Sequence, residues 1–326
     1  MISRRRLITA LAAAPVAAAF PRAARAAYPD RPIRLIVPFA AGGNADFVAR
    51  VTSDPMQQLL GQPIVVDYRV GAGGSLGADQ VAHAASDGYT LLTGSNGPLT
   101  VNPFVQAKLN YDPIKDFAPI GLANLAPHCL AVSDAVPAKS LAELIALSQR
   151  EGVTAGTSGA GSASHMTLAR FNAATGANIT HVPYRGGGAL VPDLLSGNIT
   201  SAMTEISTVL PQVGSGRIRV LGVAWVKRSP QLPDVPTMIE QGVKDFTAAS
   251  YVGFLAPART PADIIATLEA ALIGALNQKA LQDKMLQSGA ELVPDDLMTA
   301  KGFAAYIQRE FELTRAAARL AGLTPS

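Results

Sequence analysis

Cysteine is almost missing from this chain: Cys129 is the only one in 326 residues. A single cysteine excludes an internal disulfide, even in an oxidising compartment. It sits in the apolar stretch His128-Cys129-Leu130-Ala131-Val132, which reads as a buried, inert thiol. Charge is also scarce, at 16% of residues, against 48% apolar residues and a mean hydropathy of +0.23. Disordered chains show the opposite balance, so this one folds around large cores. No basic run with interleaved aromatics occurs, which excludes nucleic acid and an anionic membrane surface as expected partners. The histidines at 83, 128, 165 and 181 show no paired-ligand spacing, so no metal is indicated and no cofactor is expected. Beyond the first 20 residues, no apolar stretch is long enough to span a bilayer.

What is present begins with an export signal. Ser3-Arg4-Arg5-Arg6-Leu7-Ile8 follows the twin-arginine pattern, Leu7 to Phe20 is a short apolar stretch, and Ala24-Arg25-Ala26 is a small-residue cleavage site. Residues 1–26 are read as a signal peptide and the mature protein as periplasmic and soluble. The leader carries five arginines, so the remaining 22 Lys+Arg face 24 Asp+Glu and the apparent net charge of +3 becomes about −2.

Short apolar runs alternate with helical patterns. Strands are predicted at 33–37, 64–66 and 90–92, with helices at 44–60 and 77–85, a βαβαβ unit with a parallel sheet. The stretch from Gly94 to Phe117 is loop-rich. An apolar run from Ile120 to Val132 leads to a second alternation, opened by the capping box Ser140-Leu141-Ala142-Glu143. Its strands are predicted at 153–155, 179–182, 199–203 and 218–223. A strand at 251–255 and helices at 261–277, 279–288 and 297–320 close the chain. These last helices bring no sheet of their own, so they must pack on the first lobe. The fold class is therefore α/β, with two lobes. Each lobe is a mostly parallel sheet flanked by helices, and two crossover strands near 122–128 and 248–254 join them. Lobe 1 comprises residues 27–125 and 250–326, and lobe 2 residues 126–249. A cleft between hinged lobes is a usual place for a small ligand.

Two loops have the chemistry of an anion clamp. Pro38-Phe39-Ala40-Ala41-Gly42-Gly43-Asn44-Ala45-Asp46 passes from a strand into a helix, whose free N–H groups and dipole favour a carboxylate. It reads equally as a simple turn with Asn44 as N-cap. Gly156 to His165 forms a second strand-to-helix loop, rich in hydroxyls, in the other lobe. A dinucleotide site, suggested by Asp67, fails because Leu76 stands where G-x-G-x-x-G needs its last glycine. Gly73-Gly74-Ser75-Leu76-Gly77 matches the hydrolase elbow, but Arg69 to Ala72 separate it from its strand. His165, second in its helix, is as good a structural donor as a ligand contact.

The chain resembles the Bug-type substrate-binding proteins of tripartite tricarboxylate transporters through nearly its whole mature length. The resemblance rests on Tyr28-Pro29-Asp30-Arg31-Pro32, the Pro38 to Gly43 loop, Gly71-Ala72-Gly73-Gly74, Asp87-Gly88-Tyr89-Thr90-Leu91 and Tyr111-Asp112-Pro113. It continues in Lys115 to Pro119, His181 to Gly186, Leu232 to Thr237 and Leu255-Ala256-Pro257. It implies a monomeric two-lobed binding protein with the periplasmic-binding-protein-like fold (type II), not an enzyme, that captures a small carboxylated molecule and delivers it to the permease subunits of such a transporter. It also implies that backbone and hydroxyl groups of the two loops hold one carboxylate. On that basis Phe39, Ala41, Gly42 and Gly43 form one jaw, Ser158, Ser162, Ala163 and Ser164 the other, and Ser95 the rim. A ligand sensor signalling to a membrane protein uses the same cleft and is the first alternative; a serine hydrolase is the second. The chain departs from the family where relatives read V-D-x-M-F-D-N: here Thr204 replaces the acid and Glu205 follows it. Glu205 reads as a solvated acid at a helix start or as a partner for a ligand amino group, and Arg185 as a turn residue or a partner for a second carboxylate.

Overall fold

The computed structural model describes residues 28–320, so the export signal read at residues 1–26 lies outside the described residues. The first sheet begins as predicted, with β1 (Ile33–Val37), α1 (Asn44–Leu60), β2 (Ile64–Tyr68), α2 (Ser75–Ala82) and β3 (Thr90–Ser95). β1 lies between β2 and β3, parallel to both. The second alternation supplies α4 (Leu141–Arg150), β5 (Val153–Thr157), α5 (Ala163–Thr175), β6 (Ile179–Pro183), α6 (Gly187–Ser196), β7 (Ser201–Glu205), α7 (Ile206–Val213) and β8 (Ile218–Val223). β5 is parallel to β6 and β7. Each lobe thus has a parallel core of three strands.

Two long strands tie these cores together. β4 (Phe117–Ser133) runs antiparallel to β9 (Ala249–Pro257) from Phe117 to Pro127, then leaves it to pair with β7 and β8 from His128 to Ser133. The strand orders are β2-β1-β3-β9-β4 on one side and β8-β4-β7-β5-β6 on the other. Register shifts at Pro119/Gly121 and Leu122/Asn124 interrupt the ladder of β4 before it changes partner at His128. Strand alternation then sends Leu130 and Val132 to one core of the second lobe and Cys129 and Ala131 to the other. Burial pushes the Cys129 thiol well above its ordinary pKa, so it is not a thiolate.

The closing helices α8 (Ala262–Leu276), α9 (Lys279–Gln287) and α10 (Ala300–Leu320) pack on the first lobe, contributing Leu268, Leu272, Leu281 and Phe303 to its core. Among the described residues no single helix is long and apolar enough to cross a membrane.

Three local expectations change. Gly43, not Asn44, is the N-cap of α1; the Asn44 side chain points away from the helix start, donating to Asn124 Oδ1 at 3.0 Å and accepting from Ser207 Oγ at 3.3 Å. The capping box at α4 is shared: Ser140 Oγ accepts from the Glu143 N–H, but Glu143 turns back to the N–H of Lys139 rather than Ser140. The loop-rich stretch holds a wide helical turn at Gly97–Val101 and α3 (Asn102–Val105), with Pro98 and Pro103 inside them. Both prolines fall in the first turn of their segments, where no N–H is required.

Gly253 in β9 lies under the ring of Phe303, which a Cβ there would approach to 2.3 Å, with the Gly121 carbonyl at 2.8 Å. Gly253→Ala is expected to destabilise the protein by about 1–3 kcal/mol in urea unfolding. An unchanged midpoint would mean that α10 is not fixed to this strand.

Candidate functional site

The carboxyl ends of the parallel strands in both lobes face one another, the place where open α/β sheets put their ligands. Three helices begin there from glycine- and serine-rich loops, and a fourth, α7, starts at Glu205. The Pro38 to Gly43 loop delivers α1, with Gly42 at φ +85 and Gly43 as an N-cap that offers no side chain to the first N–H groups. The Ser158 to Ser162 loop delivers α5, and Gly186, at φ +131, opens α6, again with no side-chain cap. Gly43, Asn44, Ala45, Ser162, Ala163 and Gly187 line a single small cavity of about 30 Å³, together with Ser95, Asn96, Ser158, Glu205 and Ser250. Phe39 and Ser158 also line an outer groove of about 600 Å³, whose walls include Val70, Gly73, Met166, Tyr184 and Arg185. Phe39 therefore stands between a polar inner chamber and a more apolar vestibule.

Supporting bonds fix both loops. Asp46 accepts from the Gly42 N–H at 2.8 Å and from Arg50 and Tyr68. Ser164 accepts from the Ser158 N–H at 3.0 Å and bonds Ser162 Oγ at 3.1 Å, while Ser162 Oγ caps the His165 N–H. Of the residues expected to form the jaws, Phe39, Gly43, Ser158, Ser162 and Ala163 reach the cavity, as does Ser95. Ala41, Gly42 and Ser164 do not: the first two are exposed beside α6, and Ser164 is spent holding the loop behind the wall.

Across the cleft the lobes touch on both sides of the cavity. The Ala40 N–H donates to the Arg185 carbonyl at 2.8 Å, and Ser207 Oγ bonds Asn44 Oδ1 at 3.3 Å. On the opposite side Gly73 meets the Ala160 carbonyl and Gly161 meets Asn102.

The family model described as "Tripartite tricarboxylate transporter family receptor" matches residues 48–318. The chain belongs to this family. Protein BugT of Bordetella pertussis is 37% identical over 281 residues, 85% of this chain and 86% of the relative. Among solved structures, the periplasmic binding protein BugD is similar at TM-score 0.88 and 31% identity, over 92% of this chain and 100% of BugD. MatC of Rhodopseudomonas palustris, solved with malate, is similar at TM-score 0.85 and 32% identity, over 89% of this chain and 100% of MatC. A second R. palustris protein, solved with adipate, gives TM-score 0.87 and 31% identity, over 92% and 100% of the two chains.

Within this tripartite tricarboxylate transporter receptor, Glu205 departs from one of its sequence readings. It is not a solvated acid: only 6% of it is exposed, at the cavity wall. Its oxygens accept from Ser250 Oγ at 2.5 Å and Thr204 Oγ1 at 3.0 Å. Ser250 in turn bonds His128 Nε2 at 2.8 Å, and His128 Nδ1 bonds Thr167 Oγ1 at 2.7 Å. Sequence reading missed Asn96, Gly187 and Ser250 as cavity residues, because they sit in no loop with a recognisable anion pattern. Ser75 is bonded to the side chains of Asn102 and Gln106, not to a histidine. Asp67 pairs with Arg34 and Arg69 at the surface. His165 accepts the Gly161 N–H and stacks on His181 at 3.9 Å, a structural role. Among the described residues no cluster of metal-ligating side chains occurs.

Burial lowers the pKa of His128 from 6.5 to about 4, against the opposing pull of Glu205. Burial and the nearby His165 lower His181 to about 4 as well. The unfolded chain takes up protons on these residues between about pH 6.5 and 4 while the fold does not, so stability falls as pH falls through that window. His128→Gln is expected to make this acid-side loss shallower in urea titrations across the window; an unchanged slope would place a proton on His128 in the fold.

Proposed function

We propose that this receptor captures a small carboxylate-bearing molecule between its lobes in the periplasm and hands it, as a monomer, to the permease subunits of a tripartite tricarboxylate-type transporter. The observation that carries this reading is the convergence of three helix N-termini, from both lobes, on one cavity. Helix N-termini favour negative charge, and each contributes a few tenths to about 1 kcal/mol, more where water is excluded. The family supports transport, and two similar proteins were solved with malate and adipate. We take the lobes to be residues 27–125 with 250–326, and 126–249. Residues Phe39, Gly43, Ser95, Ser158, Ser162 and Ala163 are the proposed first contacts. Ala41, Gly42 and Ser164 act through the backbone shape of their loops.

Binding and not turnover is the reading because Ser75, the serine of the elbow motif, faces amides and no histidine. Ser250 touches His128 and Glu205, but it lies buried inside strand β9 and not on an exposed strand-to-helix turn.

Closure is written into the glycines. Gly188, in the first turn of α6, packs so tightly on the other lobe that a Cβ would stand 2.1 Å from the Ala41 carbonyl oxygen. Gly188→Ala suits a helix better than glycine does, so the unliganded protein should keep or slightly gain thermal stability. The same methyl group holds the lobes apart, and ligand affinity should fall about tenfold to a hundredfold in calorimetry. Unchanged affinity would show that the ligand does not need this contact.

The test of the proposal itself is a thermal-shift screen with mono-, di- and tricarboxylates and aromatic acids, against neutral sugars and amides. Ligand at a hundred times its dissociation constant adds about 2.7 kcal/mol, a readily measured shift. Stabilisation by carboxylates is the expected result; stabilisation by neutral solutes alone would overturn it.

A further inference from the structure

The inner cavity carries two opposite electrical demands. Three helix N-termini present partial positive charge, and Glu205 presents a carboxylate to the same chamber. Both Glu205 oxygens are held by hydroxyl groups, those of Ser250 and Thr204. The start of α7, which Glu205 caps, is the positive end beside its backbone, and no full positive charge answers its carboxyl among the described residues. His128 Nε2 is 3.9 Å away with its ring wholly buried, and no lysine or arginine pairs with Glu205 among the described residues. A charge this deeply buried is costly unless something pairs with it. A ligand carrying only carboxylates would add like charge beside it. A ligand carrying an ammonium group next to its carboxylate would satisfy both demands at once.

We propose that Glu205 recognises a ligand ammonium group and that the ligand is an α-amino acid, a deepening of the carboxylate reading above that rests on it. The amino acid's carboxylate meets the starts of α1, α5 and α6, and its ammonium group meets Glu205. Its side chain passes Phe39 into the outer groove, where Met166, Val70 and Tyr184 form walls and Arg185 the exposed rim. Ser250 and Thr204 hold the Glu205 carboxylate in place, and His128 stands behind Ser250 with Nε2 at 2.8 Å from its hydroxyl. The selectivity belongs to this chain's own departure at Thr204-Glu205 and not to the loops that take the carboxylate.

The experiment is isothermal titration calorimetry of the protein at neutral pH with matched triplets that share one carbon skeleton. Aspartate, malate and succinate form one; leucine, 2-hydroxy-4-methylpentanoate and 4-methylpentanoate another; phenylalanine, 3-phenyllactate and 3-phenylpropanoate a third. The remaining natural amino acids complete the series. In the triplet that binds, the amino acid is expected to bind at least about thirtyfold more tightly than the acid lacking nitrogen. The hydroxy acid should fall between, because it offers Glu205 a hydrogen bond but no charge. Glu205→Gln, of the same shape and still able to accept from Ser250, should erase the preference for nitrogen, with folding checked by thermal unfolding. The triplet comparison on the unaltered protein stands even if that variant fails to fold. A hydroxy or unsubstituted acid binding as tightly as its amino acid overturns this inference and leaves carboxylate capture intact. Silence of every amino acid while other carboxylates bind does the same. Silence of all carboxylates overturns both.

Discussion

The antiparallel pairing of β4 with β9 is the constraint on which the rest of this structure depends. β4 belongs to the first sheet for most of its length and ends in the second, while β9 begins beside the crossing at Ala249 and pairs within the first. Because the ladder continues through both lobes, backbone groups at the crossing stay paired while the lobes change partners. The bulges that interrupt the ladder of β4 lie just before that point, so the hinge is built from irregularity in a paired strand and not from a loose linker. The same crossing brings Asn124, His128 and Ser250 to the floor of the cleft. The hinge and the cavity floor are therefore one object.

Glycine sets how closely the two lobes meet. Gly188 against Ala41, Gly73 against Ala160 and Gly161 against Asn102 are contacts of backbone on backbone or backbone on a buried amide, where a Cβ would come within 2.1 to 2.5 Å. Such surfaces carry little side-chain entropy and little apolar area, so closing them gains little by itself. The free energy that holds the cleft shut must come largely from what lies inside it. That is the arrangement a receptor needs, since only a ligand with contacts to both lobes shifts the balance between open and closed.

The strands, the helices and the assignment of the closing helices to the first lobe were legible because they depend on local periodicity. Leu35, Ile36 and Val37 form an unbroken buried run, and α1 ends at Gly61 in the left-handed region, as a C-terminal glycine signals. The two strand-to-helix loops were legible for the same reason: Gly42-Gly43 and Ser158 to Ser162 announce a backbone-based anion site. The third helix start, at Gly187, was hidden because Gly186-Gly187-Gly188 reads as a turn until the opposite lobe is seen against it. Ser250 was hidden more deeply, as a small polar residue inside an apolar strand whose partner lies 45 positions away. Glu205 was visible as an oddity, but whether it faced solvent or the chamber depended on tertiary packing. Local sequence describes what a residue is next to in the chain, and the chamber is made of residues that are not neighbours there.

The floor beneath Glu205 is a row of hydrogen bonds with no lysine or arginine in it. A neutral imidazole has one N–H. Ser250 gives its one proton to Glu205 and Thr167 gives its own to the Ala163 carbonyl, so both hydroxyl oxygens turn a lone pair to His128 and a neutral ring can serve only one of them. Serving Ser250 leaves its proton on the bond to Glu205. Directed hydroxyls stabilise an anion but do not cancel its charge. The field of Glu205 therefore reaches the chamber, where the helix starts supply a field of the other sign. Two opposed fields in so small a space favour a dipolar occupant over a purely anionic one.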